Sequence, residues 1–297
     1  MIRPYHPSDL SAVLTLINAD QIPFQPFVNE TLFAKALIGD ADIDKGWWDN
    51  LASIETLVYE EDGMVVGAAA YGIHKTENNG YVLWLHVREQ QRIISKLLTY
   101  MIQHMNECPS IYAFWFATPL TWGIEGLPKK YRAKTHQALA RHGFASEDMW
   151  LYMAGSVSGP RKNEESIEPR SRATVKKDKE SRGYALTIPF PRETTTETPE
   201  SHKEGVMAEA EIGMVGAGVG ALWWISVNPD YRGRGLGRKI LRQCMEILTR
   251  DEAHSMILYV DHDDPKERDR RPAISMYKSV GFHEVDHLWS YERKKQP

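Results

Sequence analysis

Apolar residues recur along the chain at spacings that predict both helices and strands. Three early segments, near residues 10–19, 30–38 and 91–105, carry apolar side chains three or four positions apart, which is typical of amphipathic helices. Residues 56–60 and 64–71 are apolar runs joined by an Asp-Gly turn, the pattern of a β-hairpin. Because helices and strands are interspersed along the chain, the sequence predicts an α/β (α+β) protein.

One stretch, residues 222–250, combines a strand, a glycine turn and a helix. Residues 223–227 are aromatic, β-branched or small and predict a buried strand, which Pro229 ends because proline lacks the N–H that a ladder needs. Arginines and glycines then alternate over residues 232–238, and an apolar helix face follows to about Arg250.

This glycine turn has the chemistry of an anion-binding site. Glycines let the backbone approach a ligand closely, and the first N–H groups of the following helix have no intrahelical partner. Three arginines add positive charge that suits a pyrophosphate. The order of strand, turn and helix favours a phosphate loop over an ordinary glycine-rich turn with solvated arginines.

Two motifs in this part of the chain resemble those of the GNAT superfamily of N-acetyltransferases. Residues 227–238 resemble its acyl-CoA pyrophosphate loop, Arg/Gln-x-x-Gly-x-Gly/Ala, with Arg232, Gly235 and Gly237 at the pattern positions. Residues 273–282, which end in Gly-Phe, are similar to the second core helix of the family. The resemblance implies a mixed, mostly antiparallel sheet with flanking helices, and acetyl-CoA as co-substrate.

The resemblance also implies where the acyl-CoA binds. In the family two parallel strands splay apart, the pantetheine lies between them, and strand N–H groups polarise the thioester carbonyl. The predicted cofactor-binding residues are Ile225, Val227, Arg232, Gly233, Arg234, Gly235, Leu236, Gly237 and Arg238.

Acetyl transfer also needs an acid for the leaving thiolate and a route for the proton of the amine. Tyr277 matches the tyrosine that the family often carries on its second core helix, and we expect it to be the acid. Residues 219–221 lack the glutamate that several members use as a base. The candidate bases are Glu209 or Glu211 on the preceding strand and Asp261 or His262 at the end of the next, and a water relay is an alternative. The His and Asp residues lack a clean ligand spacing, so we expect no metal.

The two halves of the chain predict related domains. Leu83–Val87 parallels Trp223–Val227, 140 residues further on, and Gly143-Phe144 parallels Gly281-Phe282. The loop after Val87 has no glycine, so we predict a degenerate GNAT-like domain at 1–155, a polar linker at 156–182 and an acetyl-CoA-binding catalytic domain at 183–297.

Composition and charge limit the classes of partner. The chain has 297 residues and a net charge of −4, which does not favour nucleic acid. The two cysteines fit buried thiols in a reducing compartment, the start of the chain lacks the shape of a signal peptide, and the longest apolar run is too glycine-rich for a bilayer. We therefore predict a cytoplasmic protein without membrane contact, and the sequence leaves its oligomeric state open.

These observations predict an acetyl-CoA-dependent N-acetyltransferase that acts on a primary amine of a small or peptide-like molecule. The layout resembles tandem-domain members of the family, such as mycothiol synthases and acetyltransferases that confer self-resistance to antibiotics. The alternative is a non-catalytic acyl-CoA-binding sensor or interaction module, which would keep the phosphate loop and lose the acid and base. Tyr277 favours the enzyme, and the missing strand glutamate favours the sensor.

Overall fold

A computed structural model describes most of the chain. The described residues are 1–40, 45–121, 125–157, 173–177, 183–190, 205–216, 218–261 and 269–295. They form two compact units, one of Met1–Leu151 with Asp286–Pro297, and one of Tyr152–Val285. Among the described residues, no helix combines the length and the apolarity needed to cross a bilayer.

The first half of the chain alternates strands and helices much as its hydrophobic pattern predicts. Its strands are β1 (Ile2–Pro4), β2 (Leu51–Glu61), β3 (Met64–His74), β4 (Gly80–His86), β5 (Ser110–Ala113), β6 (Leu127–Pro128) and β7 (Ala145–Ser156). Its helices are α1 (Leu10–Ala19), α2 (Glu30–Ile38), α3 (Lys45–Trp48), α4 (Gln91–His104) and α5 (Ala133–Arg141).

The second half repeats this order without the early helices. Its strands are β8 (Thr174–Lys177), β9 (Gly183–Pro189), β10 (Val206–Gly216), β11 (Val219–Val227), β12 (Ser255–Asp261) and β13 (His283–Lys294). Its helices are α6 (Leu236–Arg250) and α7 (Arg271–Ser279). Strand β8 falls within the segment predicted to be a polar linker. All four of its side chains are exposed, so its backbone pairing with β9 leaves no hydrophobic signal in the sequence.

Each unit is built on a mixed sheet in which the fourth and fifth strands of the order form one parallel pair. In the first unit the strands lie in the order β1-β2-β3-β4-β5-β13, with β4 and β5 parallel. In the second unit the order is β8-β9-β10-β11-β12-β7, with β11 and β12 parallel. The predicted fold class, an α/β (α+β) protein of mixed, mostly antiparallel sheets with flanking helices, is confirmed.

The two units exchange their last strands. Residues 286–294 of β13 belong to the first unit, where Tyr291 pairs with Ala113 of β5. Residues 152–156 of β7 belong to the second unit, beside β12. The first compact unit therefore combines two separate segments of the chain. The predicted domain boundaries, 1–155, 156–182 and 183–297, stay a prediction.

The helices cover different faces in the two units. In the first unit, α4 and α5 supply one buried apolar cluster, and α1 and α2 supply another on the opposite side of the sheet. In the second unit, α6 packs on β9, β10 and β11 through a face that includes the fully buried Ile240, Leu241 and Cys244. Residues 178–182 alone join β8 to β9, a connection too short for the three helices that lie between β1 and β2.

Candidate active site

The parallel strands of the second unit separate beside a β-bulge. The ladder between β11 and β12 runs from Val219–Ser255 to Ala221–Ile257, and no further pair follows within the described residues. At this level β11 bulges against β10, because Trp224 pairs with Glu211 while Leu222 pairs with the next residue of β10. A bulge bends its strand and increases its twist, which accounts for the split.

The backbone of β11 beyond the bulge is directed into this split. The Asn228 N–H donates to the Met207 carbonyl at 3.0 Å, so hydrogen-bonded pairs alternate along β10 and β11 from that point. By this alternation the N–H and C=O groups of Ile225 and Val227 point away from β10, on the side of β12. Both residues thus present the backbone groups that the predicted pantetheine contacts require.

The glycine turn after β11 has the backbone conformation that an anion site needs. Gly233 and Gly235 have φ angles of 76° and 77°, in the left-handed region, and a Cβ on either would meet nothing within 4 Å. Helix α6 begins at Leu236, and its first helical bond is that of the Lys239 N–H to the Gly235 carbonyl. The N–H groups of residues 236–238 therefore have no intrahelical acceptor and lie at the positive end of the helix.

The arginines of this turn are exposed and held by backbone carbonyls. The Arg232 Nε donates to the Val227 carbonyl at 3.2 Å, and the Arg234 Nη2 donates to the Asp230 carbonyl at 3.2 Å. The Arg238 side chain is also exposed, on the first turn of α6. These guanidinium groups add positive charge around the turn, which suits a pyrophosphate.

Glycine is required at position 237 for a different structural reason than at positions 233 and 235. A Cβ at Gly237 would lie 2.8 Å from the sulfur of Met276 on α7 and 3.5 Å from Cγ2 of Val227. This glycine therefore allows α6 to approach α7 and β11 closely. The motif position is explained by packing, whereas Gly233 and Gly235 are explained by backbone conformation.

Two of the candidate catalytic residues lie around Arg270. Asp261 ends β12, and its carboxylate accepts a hydrogen bond from the guanidinium of Arg270, which caps α7. Burial lowers the pKa of Arg270, and Tyr277 is close enough to act on that pKa in the opposite direction. Tyr277 itself is 5% exposed and packs edge-on against Phe282 at 6.1 Å.

The other candidates are not part of this cluster. Glu209 and Glu211 lie on β10, where the Glu209 carboxylate accepts a hydrogen bond from the indole Nε1 of Trp224 at 3.1 Å. His262 falls outside the described residues. The roles predicted for Tyr277, Asp261, Glu209, Glu211 and His262 stay predictions.

Arg270 and Trp224 are the residues that sequence reasoning did not assign to the site. Arg270 lies nine residues after Asp261 in the sequence, and the two side chains meet only in the folded chain, so no local pattern indicated the contact. The aromatic character of Trp224 predicted a buried strand position, yet its side chain is exposed.

The equivalent cleft of the first unit is filled by the chain itself. Strand β4 bulges at the same place as β11, with Trp84 at the position of Trp224. There the Arg132 guanidinium donates to the Leu85 carbonyl at 2.7 Å, and the Asp20 carboxylate accepts from the Val87 N–H at 3.0 Å. Leu85 and Val87 correspond to Ile225 and Val227.

Glu89 completes this internal network. It stands in the loop that replaces the glycine turn, and its carboxylate accepts from the Arg132 Nε at 2.8 Å and from the Thr135 N–H at 3.1 Å. The side chains of Asp20, Arg132 and Thr135 are buried. The Asp20 carboxylate and the Arg132 guanidinium thus satisfy the backbone groups of Val87 and Leu85, whose counterparts in the second unit face the split, and Glu89 holds Arg132 in place.

Comparison with known proteins identifies a domain in the second half of the chain. Residues 201–284 match the profile described as Acetyltransferase (GNAT) domain. Mycothiol acetyltransferase of Thermobifida fusca (strain YX) is 34% identical over 74 residues, 25% of this chain and 20% of that protein. N-alpha-acetyltransferase RimI of Mycobacterium tuberculosis (strain ATCC 25618 / H37Rv) is 36% identical over 61 residues, 20% of this chain and 33% of that protein. The matches thus span a third or less of these relatives.

Solved structures match the whole chain. A tandem GNAT protein from the clavulanic acid biosynthesis pathway superimposes with a TM-score of 0.67 at 12% identity, over 100% of this chain and 99% of that one. A GCN5-related N-acetyltransferase from Sphaerobacter thermophilus gives 0.57 at 14% identity, over 100% and 96%. The predicted resemblance is confirmed: residues 201–284 match a GNAT acetyltransferase domain, and the chain has the fold of a tandem GNAT protein over its full length.

Proposed function

We propose that this protein is an acetyl-CoA-dependent N-acetyltransferase whose catalytic site lies in the second unit. The observation that carries the proposal is the split between β11 and β12, which opens directly above the glycine turn and the start of α6. The counterpart in the first unit is filled by Asp20 and Arg132, so we propose that only the second unit binds acyl-CoA.

The residues present fit an acyl-CoA. The backbone groups of Ile225 and Val227 would pair with the pantetheine amides, and the N–H groups of residues 233–238 would hold the pyrophosphate. Arg232, Arg234 and Arg238 would neutralise its charge. Once bound, acetyl-CoA supplies a thioester whose acyl carbon accepts the nucleophile.

The chemistry that follows is the exchange of one bond for another. The neutral amine nitrogen forms a bond to the acyl carbon, and the bond from that carbon to sulfur breaks. We propose that the Tyr277 hydroxyl gives its proton to the departing thiolate. The proton of the amine leaves through water or through one of the carboxylates, Glu209 or Asp261. Because Arg270 already binds the Asp261 carboxylate, a water relay or Glu209 is the better route.

We propose a small or peptide-like molecule with a primary amine as the acceptor. The relatives named above include an acetyltransferase for mycothiol, an N-alpha-acetyltransferase and a protein from the clavulanic acid pathway. Self-resistance to an amine-bearing antibiotic is one role that this acceptor class would allow. Both cysteines, Cys108 and Cys244, are buried free thiols, which supports a reducing, cytoplasmic location.

The direct test is turnover of acetyl-CoA with a panel of primary amines, followed as release of free thiol. Tyr277→Phe should lower kcat by about 100-fold or more with little change in acetyl-CoA affinity, because the phenol acts only on the leaving thiolate. Tyr184→Phe is the matched control. Tyr184 lies on β9, away from the cleft, and its hydroxyl donates to the Asp251 carboxylate at 2.7 Å. Equal activity of both variants would remove Tyr277 from the mechanism.

The alternative function is a non-catalytic acyl-CoA-binding sensor. One observation favours it: residues 219–221 lack the glutamate that several family members use as a base, and the Asp261 carboxylate is engaged by Arg270. A sensor would bind acetyl-CoA tightly by calorimetry and release no thiol with any amine, and absence of binding would contradict both functions.

A further inference from the structure

Among the described residues, one face of the sheet of the second unit lacks the helices that cover that face in the first. In the first unit, α1 and α2 lie between β1 and β2 in the chain and pack on one face of the sheet. In the second unit β8 and β9 are joined by residues 178–182 alone. Since α6 packs on the opposite face, no described helix of the second unit lies on the equivalent of the α1 and α2 surface, and Trp224 is exposed there.

The residues on this face of the second unit are more polar or more exposed than their counterparts in the first. The bulges align the two sheets, because Ala70–Trp84 and Glu211–Trp224 are the last pairs before each bulge. Buried apolar residues of the first unit at these positions are Val58, Ala68, Ala70 and Trp84. Their counterparts in the second unit are Thr187, Glu209, Glu211 and Trp224.

The side chain of Trp224 is the most exposed apolar group on this face. Trp84 is 2% exposed and packs against Phe33 of α2, whereas Trp224 is 45% exposed. A single exposed apolar side chain is common on protein surfaces, so the indole gains its meaning from the two glutamates beside it, Glu209 and Glu211. Its Nε1 donates to Glu209 at 3.1 Å, which holds the ring in one orientation.

The charges on the face favour a cation. Glu209 and Glu211 point to the same side of β10 and are two residues apart, which places them about 7 Å from each other. Both flank the indole, whose π face attracts cations. The Lys176 side chain shares this face, but β9 separates its strand from β10, so the negative potential is concentrated between β10 and β11.

This face also adjoins the proposed site of reaction. Trp224 directly precedes Ile225, whose backbone groups face the split between β11 and β12. A molecule held on the indole would therefore have its amine close to the thioester of a bound acyl-CoA. This position links recognition of the acceptor to the proposed chemistry.

We propose that the face formed by Thr187, Glu209, Glu211 and Trp224 binds the acceptor, and that this acceptor carries a second positive charge besides the amine that is acetylated. One ammonium group packs on the Trp224 indole beside Glu209, and the other pairs with Glu211. The proposal rests on the proposed function for the transfer step, but binding of a dication to this face is independent of turnover.

The test uses 1,4-diaminobutane as the dication and n-butylamine as the matched monocation, with the full chain. Binding is followed by NMR through the indole N–H resonance of Trp224, assigned by its loss in Trp224→Phe. We expect diaminobutane to shift this resonance and to bind about tenfold more tightly than butylamine. Glu211→Gln should remove that preference, whereas Glu252→Gln, a change of an exposed glutamate beyond α6, should keep it.

The outcomes separate this inference from the proposed function. A shifted indole and a Glu211-dependent preference, without thiol release from acetyl-CoA, would support the binding face and contradict the transferase. Thiol release with an unmoved indole would support the transferase and overturn the binding face. Equal effects of Glu211→Gln and Glu252→Gln would also overturn it. Because Glu211 is exposed, its substitution leaves folding intact, which thermal unfolding checks.

Discussion

In the first unit the Asp20 carboxylate accepts a hydrogen bond from the backbone N–H of Val87 at 3.0 Å. Val87 has the strand position that Val227 has in the second unit, where that backbone faces the open split. Asp20 directly follows α1, and α1 has no counterpart in the short connection between β8 and β9. Among the described residues of the second unit, the Asp20 carboxylate thus has no counterpart in the cleft, and no helix covers Trp224 as α2 covers Trp84.

The internal network of the first unit should be important for its stability. Arg132→Met would leave the buried Asp20 and the half-buried Glu89 without their guanidinium, at a cost of about 3–5 kcal/mol in the free energy of unfolding. The measurement is urea unfolding followed by hydrogen exchange of β4 amides. Arg92→Met is the control, because Arg92 pairs with Glu61 at the surface and its loss should change stability far less. Equal effects of the two variants would contradict a structural role for the network.

The same network should make the first unit sensitive to mild acid. Burial lowers the pKa of His86, and this outweighs the nearby Asp20 carboxylate. The unfolded histidine, with a pKa near 6.5, then binds a proton that the folded one does not, so stability is full above about pH 6.5 and falls as pH drops below it. Burial alone would raise the pKa of Asp20, but His86 and Arg132 hold it below its usual value, so its contribution is lost only in stronger acid.

Hydrogen exchange of the first unit at pH 7.5 and 5.5 measures this dependence. Wild type should lose stability on acidification, by at most about 1.4 kcal/mol per pH unit for one proton. His86→Gln should show a smaller loss over the same interval, whatever its absolute stability. An equal loss of stability in wild type and in His86→Gln would contradict a lowered pKa of His86 in the folded protein.

Much of this fold follows from the sequence, since local periodicity located α1, α2 and α4 and the glycine pattern located the phosphate turn. The exchange of last strands could not be predicted, because β7 and β13 carry a tryptophan, Trp150 or Trp289, at matching positions and either pattern fits either sheet. The contact of Asp20 with Val87 joins residues far apart in sequence, and no local pattern encodes it. Trp224 is exposed because no described helix of the second unit covers it as α2 covers Trp84. The residue types of the strand carry no information about that helix, so they suggested burial.

The exchanged strand predicts that the end of the chain stabilises the first unit. Tyr291 is 1% exposed, and its hydroxyl lies 2.8 Å from Nδ1 of His136 on α5. Removing residues 286–297 should therefore abolish hydrogen-exchange protection in β5 and α5, because both lose a buried neighbour. Removing only residues 296–297 is the control and should leave protection as in wild type. Protection of β5 that survives the longer truncation would contradict the observed exchange of strands.

The glycine turn allows backbone strain to be separated from ligand binding. Gly235 and Gly63 have φ angles of 77° and 76°, and a Cβ on either would meet nothing within 4 Å. Alanine at each position should cost about 1 kcal/mol of stability, since both backbones lie in the left-handed region. Only Gly235→Ala should weaken acetyl-CoA binding, by about tenfold in calorimetry, because its Cβ and any shift of the turn disturb N–H groups aimed at the pyrophosphate. If Gly63→Ala weakened binding as much, the effect would come from general destabilisation, and the turn would lose its assigned role.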